Sequence, residues 1–469
     1  MAHNVFADRR TRFLDAMEDG VAVFKSWPVH VRNGDVDHPY RTNSDLFLLT
    51  GFDEPETMAV LVKRGADRKY VLFVRPRDPE METWVGKRAG TEGAIRDFGA
   101  DEAYDSALFF DRLPGLLTNQ PRLYLEFGLD VAFEGRVSLA IEALKGEARK
   151  GLCGPWQIID PRSILWDMRV VKSAHDVQVI EDACAITVAA FRAAMQAATP
   201  GMNEGELAAV VEFEFRRRGA HRVAFETICA SGANAATLHY IRNDATLGDG
   251  DLVLIDAGAE RNMMSADISR TFPTNGRFTP LQRRVYEWVL KAQEAAIAAV
   301  KPGTTYAKVH EAGLKVLVEG LVDLGALKGK PRSLIETGAY RPYFMHRIGH
   351  WLGSDVHDVG PYFVDGASIP LRAGMVITIE PGLYFADAPA TPKALRGIGI
   401  RIEDDVLVTD KGRRVLTEAL PKTVDDIEAL MADRGAWWRT VQPVTVPAGK
   451  KAKKSAKPEK AGKAKKKSS

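Results

Sequence analysis

Residues 252–272 read Leu-Val-Leu-Ile-Asp-Ala-Gly-Ala-Glu-Arg-Asn-Met-Met-Ser-Ala-Asp-Ile-Ser-Arg-Thr-Phe. Two runs of β-forming residues flank Glu260-Arg261-Asn262, a short turn-like segment. Each run carries one aspartate among apolar neighbours, Asp256 and Asp267. A turn centred between Arg261 and Asn262 sets these two opposite one another in an antiparallel hairpin, with Cβ atoms about 5 Å apart. Like charges in that position destabilise a strand pair unless a cation lies between them. The stretch therefore predicts a hairpin that holds a metal, and the rest of the chain should supply further ligands.

A second unit of the same kind lies downstream. Met375-Val376-Ile377-Thr378-Ile379-Glu380 and Gly399-Ile400-Arg401-Ile402-Glu403 both end an apolar run on an acid. Helical periodicity precedes each unit, over 173–197 and 204–218 in one case and over 279–300 and 305–324 in the other. Ser173 is placed as an N-cap with Asp176 at the third helical position, and Gly219 ends the second helix. Residues 173–430 thus predict two halves, each a helix pair and a hairpin. No sequence identity relates them, so the duplication is architectural.

The N-terminal portion alternates strands (21–24, 59–62, 69–74, 123–126) with helices (7–18, 91–98, 133–148), and 37–45 reads as a polar loop. That order predicts a separate three-layer α/β domain. The fold class is α/β (α+β). Residues 1–170 are expected to form an N-terminal domain, 171–435 a second domain of helix pairs and hairpins, and 436–469 a disordered Lys-rich tail.

Composition sets bounds on function. The 469 residues are 45% hydrophobic, enough for ordinary cores. No apolar run approaches the roughly 18 residues of a membrane span, and no apolar stretch follows the N-terminus as in a secretory signal. Cys153, Cys184 and Cys229 have no Cys-x-x-Cys spacing, which argues against a disulfide framework or a thiolate zinc site and favours a reducing cytoplasm. The formal charge of +2 hides an asymmetry: residues 450–469 hold ten lysines and one glutamate, a local +9, so the body carries −7. Weak polyanion binding is expected of that tail. Specific nucleic-acid recognition is not, because no aromatics interleave the lysines.

Asp256, Asp267, His350, Glu380 and Glu403 together form four carboxylates and one imidazole. Clustered and dry, they would be prohibitively costly without cations, and two divalent metals resolve the cost. An oxygen-rich set with one imidazole favours Mn²⁺, with Zn²⁺, Co²⁺ or Fe²⁺ also suited. His346 and His350 are four apart, but Gly349 and Gly353 argue against a helix there, and no zincin glutamate lies between them.

The motifs carry a family resemblance. Leu238-His239-Tyr240, Ile255-Asp256-Ala257-Gly258, Asp267-Ile268-Ser269-Arg270-Thr271-Phe272, His357-Asp358-Val359-Gly360, Ile379-Glu380-Pro381-Gly382 and Gly399-Ile400-Arg401-Ile402-Glu403-Asp404 occur in this order. Asn43-Ser44-Asp45 and Trp84-Val85-Gly86-Lys87-Arg88 belong to the same set. From about residue 39 to 430 the chain resembles the Xaa-Pro aminopeptidase (aminopeptidase P) family of "pita-bread" metallopeptidases.

The resemblance implies hydrolysis of the bond between an N-terminal residue and a penultimate proline, by a hydroxide between two metals. It assigns Asp256 to one metal, His350 and Glu380 to the other, and Asp267 and Glu403 to both. Glu380 becomes general base, and His357 a donor to the oxyanion. His239 is a substrate contact, His346 part of the proline pocket, and Arg401 a supporting residue. Trp84 is the N-terminal-domain aromatic that reaches a neighbouring subunit's site in a dimer or tetramer. One departure stands out: Asp365-Gly366-Ala367-Ser368 occupies a loop where several relatives carry a basic residue. Two other readings follow from the same residues, a prolidase restricted to Xaa-Pro dipeptides and a metal-free peptide-binding module.

Overall fold

The computed structural model describes residues 2–435 together with Trp437 and Trp438. Nearly all of the expected tail, 436–469, lies outside the described residues.

In the N-terminal region six strands form one mixed sheet, in the order Glu102–Asp105, Asp67–Val74, Met58–Arg64, Gly20–Lys25, Arg122–Leu125, Gln157–Ile159. The three inner strands from Asp67–Val74 to Gly20–Lys25 pair antiparallel, and the outer pairings are parallel. The alternation of side chains across a strand builds two cores. Ala22, Phe24 and Leu61 pack with Phe13, Leu49 and Phe52 on one face. Val21, Val23 and Val60 pack with Phe109, Leu113 and Phe133 on the other. Helices Ala2–Ala16, Phe109–Leu117 and Val131–Gly146 cover the faces, giving the three expected layers.

The loop expected over 37–45 is present over 38–43 but ends two residues earlier than expected. Asn43 caps a short helix, Ser44–Thr50, its side chain accepting from the backbones of Asp45 and Leu46. Seven residues are too few for a periodic signal, so the cap alone could have revealed it.

The second region follows the predicted plan. Helices Ala174–Ala197 and Glu204–Arg217 precede one hairpin, and Pro280–Ala299 and Tyr306–Asp323 precede the other. Capping boxes start the two longer helices, Ser173 with Asp176 and Thr279 with Gln282. Among the described residues no helix is long and apolar enough to cross a membrane.

The register of the first hairpin differs from the expectation. Leu252–Ala257 pairs with Ile268–Pro273 so that Asp256 faces Ser269, not Asp267. Glu260 pairs with Ser265 and Arg261 with Met264, so the turn is the two residues Asn262 and Met263. Both have positive φ, 46° and 63°, the backbone of a two-residue hairpin turn whose twist matches its strands. The offset moves the partner of Asp256 by two residues, so Asp267 remains on the same face, diagonal to Asp256.

In the second hairpin Val376–Ile379 pairs with Asp404–Thr409, and Gly382–Phe385 with Ile398–Arg401. The two ladders share one register, and the gap between them sets Glu380 opposite Glu403. Here the facing-acid geometry does occur.

The regions meet through buried ions. Arg169 contacts Asp45 at 2.9 Å, Asp355 at 2.6 Å and Asp358 at 2.5 Å, and Lys172 holds Asp358 at 2.9 Å. Arg9 pairs with Asp176, Arg41 with Glu260, and the Ser44 hydroxyl donates to Asp355. Asp355 and Asp358 flank His357, so the N-terminal region braces the loop that carries this histidine.

Candidate metal centre

His350 lies on an extended segment against the second hairpin. The Thr378 N–H donates to the His350 carbonyl at 2.9 Å, and the His350 N–H donates to the Thr378 hydroxyl at 3.0 Å. Gly349 makes this approach feasible: a Cβ there would lie 1.8 Å from the Thr378 carbonyl oxygen. The glycine that argued against a helix is thus required by backbone contact. His350 Nδ1 lies 3.0 Å from the Trp351 carbonyl, an acceptor, so Nδ1 carries the proton and the Nε2 lone pair is free. That Nε2 sits 3.4 Å from Asp267 Oδ2 and 3.6 Å from Glu380 Oε1.

The acids converge on the same point. Ligand atoms of Asp267, His350 and Glu403 all lie within 4.8 Å of one another. Asp256 Oδ2 accepts from Arg401, which also donates through Nε to Ser269 Oγ at 2.8 Å and through Nη1 to the Tyr384 hydroxyl at 3.0 Å. Ser269, which holds the position expected of Asp267, donates in turn to Glu403 Oε2 at 2.8 Å. The Asp267 N–H donates to Asp405 Oδ2 at 3.0 Å, fixing the strand where the ladder breaks.

Electrostatics tests whether a metal fits. Burial, followed by the charges of Asp256, Asp405 and Glu380, pushes Asp267 well above the usual carboxylate range. Burial and then the charges of Asp267, Glu380 and Asp256 push Glu403 up as well. Glu380 is raised chiefly by burial, against the pull of His350 and Arg401. Asp256 Oδ1 and Asp267 Oδ1 are buried with no hydrogen-bond partner. Orphaned carboxylate oxygens, mutual repulsion and an inward imidazole lone pair are what a divalent cation relieves, and the donor set fits.

The remaining histidines line one cavity of about 800 Å³ with these acids. His346 stands over Glu380, with 3.6 Å between Nδ1 and Oε2, and burial depresses it to about 3. Its Nδ1 meets the Arg347 carbonyl at 2.7 Å and its Nε2 meets the Tyr384 hydroxyl at 2.9 Å, so both ring nitrogens are engaged. The rings of His357 and His350 have centroids 4.3 Å apart, and burial followed by the charge of His350 lowers His357. His239 lines the wall with Leu238 and Ile241.

Nine of the ten expected site residues therefore meet here. Trp84 does not: it is 81% exposed on helix Pro79–Val85, away from this chain's own cavity. Sequence reasoning missed Ser269, hidden by the register, and gave no role to Tyr384 or Thr378. Both lie beside recognised acids, in Thr378-Ile379-Glu380 and Gly382-Leu383-Tyr384, which was the available signal.

A caged excess of buried carboxylates opening on a cavity large enough for a short peptide marks a metal-dependent hydrolase. The chain belongs to metallopeptidase family M24, whose description matches residues 178–410, while the aminopeptidase P N-terminal domain matches residues 6–124. It is 41% identical to Xaa-Pro aminopeptidases of Haemophilus influenzae, over 91% of this chain and 96% of that one, and of Escherichia coli, over 91% and 97%. It is also similar to the solved structure of Pseudomonas aeruginosa aminopeptidase PepP, with a TM-score of 0.90 and 45% identity, covering 92% of this chain and 98% of the other.

Proposed function

We propose that this protein is an Xaa-Pro aminopeptidase, releasing the N-terminal residue of peptides whose second residue is proline. The observation that carries the reading is the cage of Asp256, Asp267, His350, Glu380 and Glu403 inside the same cavity as His239, His346 and His357. Identity of 41% to proteins of that activity, across nearly the whole chain, supports it. Residues 1–170 form the N-terminal domain and 171–435 the catalytic domain.

Asp256, Asp267, His350, Glu380 and Glu403 would hold two divalent ions, Mn²⁺ by preference: Asp256 would serve one, His350 and Glu380 the other, and Asp267 and Glu403 both. Bound there, they supply Lewis acidity toward the scissile carbonyl and make water a nucleophile near neutral pH. Glu380 takes the proton of the attacking water and gives it to the departing proline nitrogen as the C–N bond breaks. His357, kept neutral, donates its one N–H to the carbonyl oxygen as negative charge develops. His346 has both nitrogens engaged, so it offers ring surface to the proline and helps form its pocket. His239 contacts the substrate near the scissile bond. Arg401 holds Asp256 and Tyr384 in place.

Proline explains the need for a dedicated site. Its nitrogen carries no hydrogen and its ring fixes φ, so the site packs a ring in place of reading an N–H. The exposed Trp84 reaches the cavity of a neighbouring copy in a homo-oligomer, and the enzyme works in the cytoplasm.

The test is turnover of an Xaa-Pro-Yaa tripeptide and of an Xaa-Pro dipeptide by Mn²⁺-loaded and chelated protein. Metal-dependent cleavage of the tripeptide is expected. Turnover of the dipeptide alone would leave a prolidase, and turnover of neither by folded, metal-loaded protein would sink the enzyme reading.

A further inference from the structure

Two guanidinium groups line the catalytic cavity, and they differ in kind. Arg401 is buried and spends its donors on Asp256, Ser269 and Tyr384. Arg347 is exposed at the cavity wall, and its side chain makes no ion pair or hydrogen bond among the described residues. Its charge is nevertheless felt inside: burial and then Arg347 lower His310, and Arg347 opposes the burial that raises Tyr306.

Position tells which part of a substrate this cation meets. Arg347 follows His346, whose ring lies 3.6 Å from Glu380, the group that hands a proton to the leaving nitrogen. A second cavity of about 440 Å³ shares His346 and Arg347 with the first and continues to Arg341 and Tyr340. The space past the proline is therefore lined by cations, whereas Glu226 is the exposed acid on the cavity wall. The loop at 363–368 adds no positive charge. Phe363–Val364 and Ala367–Ser368 pair around Asp365 and Gly366, and this hairpin brings Phe363 to the cavity.

We propose that Arg347 is a specificity-determining residue that binds a carboxylate on the leaving-group side of the substrate. That carboxylate is the free C-terminus of a tripeptide or an acidic side chain just beyond the proline. A free guanidinium presents a planar fork that matches a carboxylate with two parallel hydrogen bonds. Tyr306, Tyr362 and Phe363 line the same cavity and give the rest of that side of the substrate an aromatic wall. The inference rests on the peptidase reading above.

The experiment compares three substrates with Mn²⁺-loaded wild type and Arg347→Gln: Xaa-Pro-Yaa with a free carboxylate, its C-terminal amide, and Xaa-Pro-Asp amide. Wild type is expected to favour an anionic substrate over the neutral amide by about 5–10-fold in kcat/KM, mainly through KM. In Arg347→Gln the ratio falls to about one, and Arg347→Lys restores part of it. A general folding defect lowers all three substrates together and leaves the ratios unchanged, so the ratios isolate the charge contact. Loss confined to the free-carboxylate ratio assigns the contact to the C-terminus, and loss confined to the Asp amide assigns it to the side chain. Ratios unchanged in Arg347→Gln overturn the inference while leaving the peptidase reading intact. Absence of turnover of every substrate by wild type overturns both.

Discussion

The two hairpins each deliver two acids to one centre, yet they hold them differently. In the second, Glu380 and Glu403 fall opposite one another where two ladders of one register are interrupted. In the first, Asp256 faces Ser269, and Asp267 sits on the diagonal with its backbone tied to Asp405. The diagonal separates the shorter aspartates by more than a facing pair would be, roughly 7–8 Å between backbones. Arg401, from the second hairpin, then neutralises Asp256 of the first. The lesson is that a shared face, more than direct opposition, decides whether two strands can build a metal site. A slip of two residues preserves the face, and a slip of one would have destroyed it.

The strongest way to break the comparison is to remove the glutamate that Ser269 links to the first hairpin. Glu403→Gln should lower kcat at least about 10³-fold, beyond the 10–100-fold typical of residues that only support ligands. Metal analysis should find both ions depleted. Asp267→Asn should likewise deplete both, whereas Asp256→Asn should leave the ion held by His350 and Glu380 partly in place. Equal depletion in the two variants would show that the aspartates are equivalent after all.

Arg401→Ala tests the cross-link between hairpins. It strips Asp256 of a buried partner and should cost about 10–100-fold in kcat/KM, with Arg401→Lys intermediate because one ammonium cannot reach Asp256, Ser269 and Tyr384 together. Unchanged kinetics would mean that Asp256 is held by its strand alone.

Chelation probes the repulsion within the centre. At metal concentrations near 100 Kd each ion should contribute about 2.7 kcal/mol to stability, so removing both should lower Tm by several degrees, at about 2–4 °C per kcal/mol. Calorimetry with and without Mn²⁺ would show it, and coincident curves would argue that the carboxylates repel one another little. The smallest effect concerns the register itself. Asn262→Val places a β-branched residue at φ 46° and should cost about 1–2 kcal/mol in thermal unfolding, while Asn262→Gly should be nearly neutral.

What was legible in the sequence was local. Capping residues such as Ser173 and Asp176, and apolar periodicity over 279–300, announce their helices without help from the rest of the chain. The four acids stood out because each interrupts an apolar strand. The register of the first hairpin was not legible, because it depends on Met263 adopting a positive φ that methionine seldom takes. The helix Ser44–Thr50 was too short for a periodic signal. The ions around Arg169 join residues separated by 124 and 189 positions, and no local pattern marks such pairs. The free charge of Arg347 could be recognised only once every other cation in the cavity had been given a partner.

The brace around Arg169 bears on how the chain can be divided. Excising the first 160 residues would leave that guanidinium without Asp45, Glu260 and the Ser354 carbonyl without Arg41, and Asp176 without Arg9. Each loss falls on a group that is buried or nearly so, and the His357 loop hangs from two of them. To a protein engineer, the segment that bears all five proposed metal ligands is therefore not a portable module: transplanted alone, it would carry its chemistry on an unsupported frame.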